Sequence, residues 1–155
     1  MEWIWNNYLD LDDYHLKHIS RLRKSFFAED SKYPFVKDHY DEMSLHLLGF
    51  LKKDLVAYGR VIPPHKEFEN PYLSRIIISE GFRNKGFGKA LISELIDKSR
   101  EIYPQNLIKV SSLSSTVEFY KKNNFTQQKL IIDDTGKEHF ISVSYTHLTL
   151  PTISC

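Results

Sequence analysis

The sequence predicts an α/β domain built on a mixed sheet, and three features carry that reading. β-rich runs alternate with stretches of helical period along the chain. A Leu/Ile run at 72–79 empties into a glycine loop and then a helix, and the last third reads strand, helix, strand, turn, strand.

Residues 2–8, loosely alternating and rich in Trp and Tyr, give a short first strand. Asp10 to Asp13 are acidic N-cap candidates, and Tyr14, His18, Leu22 and Phe26 recur four apart, so 12–27 reads as a helix. A loop follows through Lys32-Tyr33-Pro34 to Asp41. The runs 44–50 and 54–62, parted by Lys52-Lys53-Asp54, form a hairpin that stops at Pro63-Pro64. Tyr72 to Ser79 is too short and too β-branched for a helix and ends at Glu80-Gly81, which makes it a central strand. Beyond the loop, Leu91, Ile92, Leu95, Ile96, Ser99 and Tyr103 keep helical spacing as far as Pro104. The remainder reads as strand 107–111, helix 115–122, strand 125–132, a turn at Asp133-Asp134-Thr135-Gly136 and strand 138–144.

A chain of 155 residues can bury roughly 70% of its unfolded surface in one domain, so a core and a cleft are both within reach. Its 21 Lys and Arg balance 20 Asp and Glu, which argues against tracking a phosphate backbone, and no nucleic acid partner is expected. The single cysteine, Cys155, leaves no intrachain disulfide or cysteine zinc cage and fits a reducing compartment. His15, His18 and His46 sit on ordinary helix or strand faces, His65 reads as a loop residue, and no metal site is expected. The opening Met1-Glu2-Trp3-Ile4-Trp5-Asn6 does not read as a leader, and no apolar run approaches the ~20 residues that span a bilayer. A cytoplasmic protein without membrane partners is the expectation. Residues 145–155 contain no acid, Lys or Arg and read as a non-native or disordered tail, or alternatively as an edge strand ending at Pro151, so the domain is set at 1–144.

Chemistry concentrates at Arg83-Asn84-Lys85-Gly86-Phe87-Gly88-Lys89. A strand, a glycine loop and a helix start aim several backbone N–H groups one way, a ready anion site. Arg83, Lys85 and Lys89, with no acid between 81 and 93, make the local field favour a phosphate, although solvated lysines on a plain turn remain the alternative. A Walker loop would need four residues between its glycines and Ser or Thr after Lys89, and the dinucleotide fingerprint fails where Leu91 stands for its third glycine. The spacing that fits is R-x-x-G-x-G, at Arg83, Gly86 and Gly88.

In this the sequence resembles the GNAT acyltransferase superfamily, whose coenzyme A motif is (Q/R)-x-x-G-x-(G/A). Thr116-Val117-Glu118-Phe119-Tyr120-Lys121-Lys122-Asn123-Asn124-Phe125 is similar to that family's a-x-x-F-Y-x-x-x-G-F segment, with Asn124 in place of glycine. Asn is the next most tolerant residue of the left-handed conformation that a helix end asks for. Arg21 through Glu29, Tyr33-Pro34, Asp38 with Asp41, Leu55 through Arg60, and His139 are similar to the ElaA-like branch, whose Q-A-H is replaced here by Leu113-Ser114-Ser115.

The resemblance implies a GNAT-like mixed, mostly antiparallel central sheet flanked by helices, and an acetyl-CoA-dependent N-acetyltransferase acting by direct attack in a ternary complex. It places the pyrophosphate on Arg83, Asn84, Lys85, Gly86, Phe87, Gly88 and Lys89, and the pantetheine arm against Ile76, Ile77 and Ile78. The strand would then be splayed from its neighbour, with an N–H near Ile77 or Ile78 donating to the thioester carbonyl. Tyr120 matches the phenol that protonates the leaving thiolate, its alternative role being to pack against Phe119. Candidates for the base are Glu29, Asp41 and His139, with Asp38 beside them. The acceptor would be a small-molecule or protein amine, and a homodimer fits the family. Trp3, Trp5, Phe26, Phe27, Tyr33, Phe35 and Tyr40 crowd the N-terminal third and line an acceptor pocket, or form core or a dimer face. A CoA-binding regulatory or assembly module without turnover is the alternative function, and a phosphate-loop nucleotide binder is a third.

Overall fold

The computed structural model describes residues 1–27 and 37–145. The candidate base Glu29, the aromatic residues Tyr33 and Phe35, and the tail from 146 onward lie outside the described residues.

Seven strands form one sheet: β1 Glu2–Asn7, β2 Leu45–Leu51, β3 Asp54–Ile62, β4 Tyr72–Ile78, β5 Ile108–Ser112, β6 Thr126–Ile132 and β7 Glu138–Ser144, in the order β1-β2-β3-β4-β5-β7-β6. Only β4 and β5 pair in parallel; every other neighbour pair is antiparallel. The parallel step is forced by the crossover helix between these two strands. The helices are α1 Asp13–Phe27, α2 Phe87–Ile102 and α3 Val117–Lys122. This is the mixed, mostly antiparallel sheet with flanking helices that the sequence predicts.

Element ends differ from the sequence reading in three places. Tyr8–Asp10, Glu80–Phe82 and Ser114–Thr116 are single tight turns of 3-10 type, where a strand end, a loop and the first turn of a helix are expected. At the last of these, the Thr116 N–H and hydroxyl both donate to the Leu113 carbonyl, at 3.0 and 3.2 Å. Thr and Ser compete for backbone groups in this way, which delays the regular helix to Val117.

Two cores sit on opposite faces of the sheet. Leu91, Ile92 and Leu95 of α2 pack with Leu47, Ala57, Val61, Leu73, Ile108 and Val110, and Trp3 and Trp5 lean on the same layer. Leu11, with Ile19 and Leu22 of α1, meets Leu48, Phe50, Tyr58 and Ile77, and Phe26 closes its end. Each fully buried aliphatic side chain contributes about 1.5–3 kcal/mol before entropy is charged against it. Trp3, Trp5 and Phe26 thus pack, partly buried, against the two cores.

The sheet is distorted at its centre. Between the pairs Arg60↔Ser74 and Tyr58↔Ile77, β4 advances three residues while β3 advances two. The extra residue makes a bulge, and Arg75 takes a positive φ of 53° within it. Bulges bend a strand and increase its local twist. This one lies just where β4 begins to leave β5.

Candidate functional site

β4 and β5 are in register only at Tyr72↔Lys109 and Leu73↔Val110. Yet β4 runs on to Ile78 and β5 to Ser112, so the two strands separate beyond the bulge. The other edge of β4 stays paired, with Ile77 opposite Tyr58 and Ile78 opposite Ala57. The side chains of Ile76 and Ile78 join the α2 core, and that of Ile77 joins the α1 core. What remains toward β5 is a stretch of open main-chain edge, which an extended partner with amide groups can pair against.

This edge leads directly into the glycine loop. Asn84 and Gly86 are both left-handed, with φ of 61° and 87°. Gly86 caps α2, and the first intrahelical bond runs from the Ala90 N–H to its carbonyl at 3.2 Å. The N–H groups of Phe87, Gly88 and Lys89 therefore have no intrahelical acceptor and point out of the helix start. Gly88 has a different reason to be glycine: an added Cβ would stand 3.3 Å from the Phe119 ring, so α2 and α3 meet there without a side chain between them. Arg83 donates from Nε to the Ile78 carbonyl at 2.9 Å and lies 5.2 Å over the Phe26 ring, which ties the loop to the end of β4. Lys85 lies 5.8 Å over Phe82. The result is a concave set of donors in a positive local field.

Tyr120 is buried in α3, edge-on to Phe119 and Phe125 at centroid distances of 5.1 and 5.8 Å. Burial pushes its phenol above the usual tyrosine range, so it is a neutral O–H donor at pH 7. Asn124 ends the helix with φ of 70°, the conformation expected where a glycine is replaced. Through Gly88 and Phe119, the loop and the phenol belong to one packed unit.

The α1 face carries a second polar assembly, most of which the sequence reading did not single out. Arg60 Nη1 donates to Asp41 Oδ1 at 2.6 Å and to Asp38 Oδ1 at 2.7 Å, Nη2 reaches Asp38 Oδ2 at 2.8 Å, and Nε reaches Ser74 Oγ at 2.6 Å. Arg23 Nη1 donates to both Asp41 oxygens at 3.1 Å, and the Asp38 N–H adds a bond to Asp41 Oδ2 at 2.9 Å. Arg60 and Asp41 are 1% and 2% exposed, so this is a charge cluster held inside the protein. Beside it, His46 Nε2 lies 2.8 Å from the Asp41 carbonyl and Nδ1 lies 2.7 Å from the Tyr58 hydroxyl. A carbonyl only accepts, so Nε2 carries the proton and Nδ1 accepts from Tyr58. Burial lowers the His46 pKa and keeps the ring neutral. His46, Tyr58 and Arg23, together with Tyr8, Leu11 and Ile19, line a cavity of about 380 Å³.

The acid behaviour of this assembly is testable. Burial alone would raise the Asp38 pKa, but the hydrogen bonds and charge of Arg60, aided by Arg75, bring it from 3.8 to about 2. A carboxyl depressed in the folded state adds stability above its unfolded pKa and loses it as pH falls through the folded value. Urea unfolding should therefore lose about 2 kcal/mol on Asp38's account between pH 4 and pH 2, and Asp38→Asn should flatten that slope. An unchanged slope in the variant contradicts the ion pair.

Of the sequence-predicted base candidates among the described residues, Asp38 and Asp41 meet in this cluster and His139 lies in the β6–β7 hairpin. Asp41 has both oxygens occupied by Arg23, Arg60 and a backbone N–H. His139 Nε2 is 2.8 Å from Asp133 Oδ2 within the β6–β7 hairpin, where Asp133 also accepts from Thr135 and is held well below the usual carboxylate range. A signal for the missed residues was present. His46 and Arg60 interrupt apolar strand runs, LHLLGFL and DLVAYGRVI, and a polar group at such a position must find a buried partner. Among the described residues, no group of three or more His, Cys, Asp or Glu is placed to hold a metal ion. None of their helices is long and apolar enough to cross a membrane.

Comparison with known proteins fits this geometry. UPF0039 protein sll0451 of Synechocystis sp. is 28% identical over 141 residues, covering 90% of this chain and 92% of that one. Protein ElaA of Escherichia coli is 22% identical over 142 residues, covering 90% of this chain and 93% of that one. The crystal structure of E. coli ElaA superposes with a TM-score of 0.82 over 92% of this chain and 98% of that one. An aminoglycoside 6'-N-acetyltransferase complexed with coenzyme A shares the fold at 12% identity and a TM-score of 0.74, over 96% of this chain and 99% of its own. Residues 9–125 match the acetyltransferase (GNAT) family, and the chain belongs to that family.

Proposed function

We propose that the protein is an acetyl-CoA-dependent N-acetyltransferase that passes an acetyl group directly to a primary amine in a ternary complex, in the cytoplasm. The observation that carries this reading is the open edge of β4 beyond Leu73, continuous with the left-handed, basic loop at Arg83–Lys89. The N–H groups of Phe87, Gly88 and Lys89 hold the pyrophosphate, Asn84 and Gly86 give the loop its curvature, and Arg83, Lys85 and Lys89 supply charge. Ile76, Ile77 and Ile78 offer main-chain groups to the pantetheine arm. An N–H of this stretch donates to the thioester oxygen as negative charge develops there. Tyr120 gives its proton to the departing thiolate. Asp41 serves as the anchor of the arginine cluster, and His139 as a clamp of its hairpin.

Incubation with acetyl-CoA and a panel of primary amines should release free thiol. Tyr120→Phe should lower kcat about a hundredfold while CoA binding is retained. Saturable CoA binding with no thiol release from any amine would instead identify a binding module of the same fold.

A further inference from the structure

We propose that Tyr58 and His46, at the floor of the α1-face cavity, take the proton from the attacking amine; the role rests on the acetyltransferase reading above. Three observations support it. The hydroxyl and the ring are already joined at 2.7 Å, with the tautomer fixed by the Asp41 carbonyl so that Nδ1 is free to receive a proton. Both groups line a cavity whose other walls include Leu11, Leu16 and Ile19, room for the stem of an amine. The third is register: His46 lies opposite Arg60, which lies opposite Ser74, so the hydroxyl stands level with the Arg75 bulge where β4 parts from β5. An arm running back along the open edge from the loop brings its thioester to that level.

The proton path balances. The amine enters as an ammonium and gives one proton to the Tyr58 oxygen as the Tyr58 proton passes to His46 Nδ1, leaving an imidazolium. The freed lone pair forms the C–N bond and the C–S bond breaks. The thiolate takes a proton from Tyr120, the second amine proton restores Tyr120 through solvent, and His46 returns its proton to water after release. Among the described residues, the charged and titratable groups at the ring and its cavity are Tyr8 after β1, Arg23 of α1, Lys37 and Asp41 before β2, and Tyr58 and Arg60 of β3. Arg23 and Arg60 disfavour the imidazolium and Asp41 favours it, while burial lowers the His46 pKa, so the ring accepts a proton only transiently.

The test measures thiol release by the full chain from pH 6 to 9, with 2-phenylethylamine, spermidine, kanamycin and a lysine peptide as acceptors, for wild type, Tyr58→Phe and His46→Gln. Calorimetric CoA binding and thermal melting accompany each protein. With the fastest acceptor, the wild-type rate should level off near neutral pH. Each variant should lose about a hundredfold at pH 6.5 with CoA binding intact, and the loss should shrink as pH rises toward the amine pKa, because only free amine then reacts. A loss of equal size at every pH, or no loss in a folded variant, overturns the assignment. Absence of CoA binding, or of thiol release by wild type with every amine, overturns the acetyltransferase reading itself, a result separable from failure of the dyad.

Discussion

Arg60→Leu is expected to lower the free energy of unfolding by about 3–5 kcal/mol, the usual cost of removing one partner from a buried charge group. Arg60 joins Asp38, Asp41 and Ser74, and among the described side chains its removal leaves Arg75 on Asp38 and Arg23 on Asp41. Two carboxylates that face three guanidinium groups would then face two, each at longer range. Urea unfolding at pH 7 measures the loss. Restoring the cluster's original net charge with Asp38→Asn in the same chain should recover part of it, since the two sites share one network. A loss below about 1 kcal/mol would mean that the cluster is far more hydrated than its burial indicates.

Gly86→Val should weaken CoA binding by at least about a hundredfold, close to 2.7 kcal/mol. An added Cβ at Gly86 meets no atom within 4 Å, so the effect is not a clash. It comes from φ of 87°, which a β-branched residue adopts only under strain. Relief of that strain turns the N–H groups of the following residues away from their common focus. Gly81→Ala is the matched control: its Cβ also meets open space, and no positive φ is required there. Calorimetric titration with CoA should find that control close to wild type. Equal affinity in Gly86→Val would remove the loop from the binding site.

Much of this architecture is legible in the sequence because local rules and tertiary packing agree. Leu91, Ile92 and Leu95 keep the 3.6 period that puts them on one face, and Tyr72–Ile78 is too β-branched for a helix. Gly86 announces the left-handed turn, and even Asn124 is readable as its substitute at a helix end. The splay of β4 from β5 is implied by the family resemblance; nothing in the run YLSRIII marks the bulge at Arg75, which shows only in the register against β3. The α1-face cluster was hidden for another reason. By the family resemblance Asp41 is a candidate base in the sequence, a carboxylate in the loop after the first helix that would border the acceptor cleft. Only the fold brings Arg23, eighteen residues away, and Arg60, nineteen away, onto its two oxygens. Likewise His46 and Tyr58 sit on adjacent strands of a hairpin, a pairing that the sequence leaves unspecified until register is known.

The central claim is that the open edge of β4 and the loop after it hold an acyl-CoA. Backbone amide spectra of the uniformly labelled chain during titration with CoA test it residue by residue. The amides of Ile76–Ile78 and of residues 84–89 should shift together and saturate at one equivalent, while ATP at the same concentration leaves Ile76–Ile78 unmoved. Shifts confined to other surfaces, or no saturable shift at all, would contradict the account.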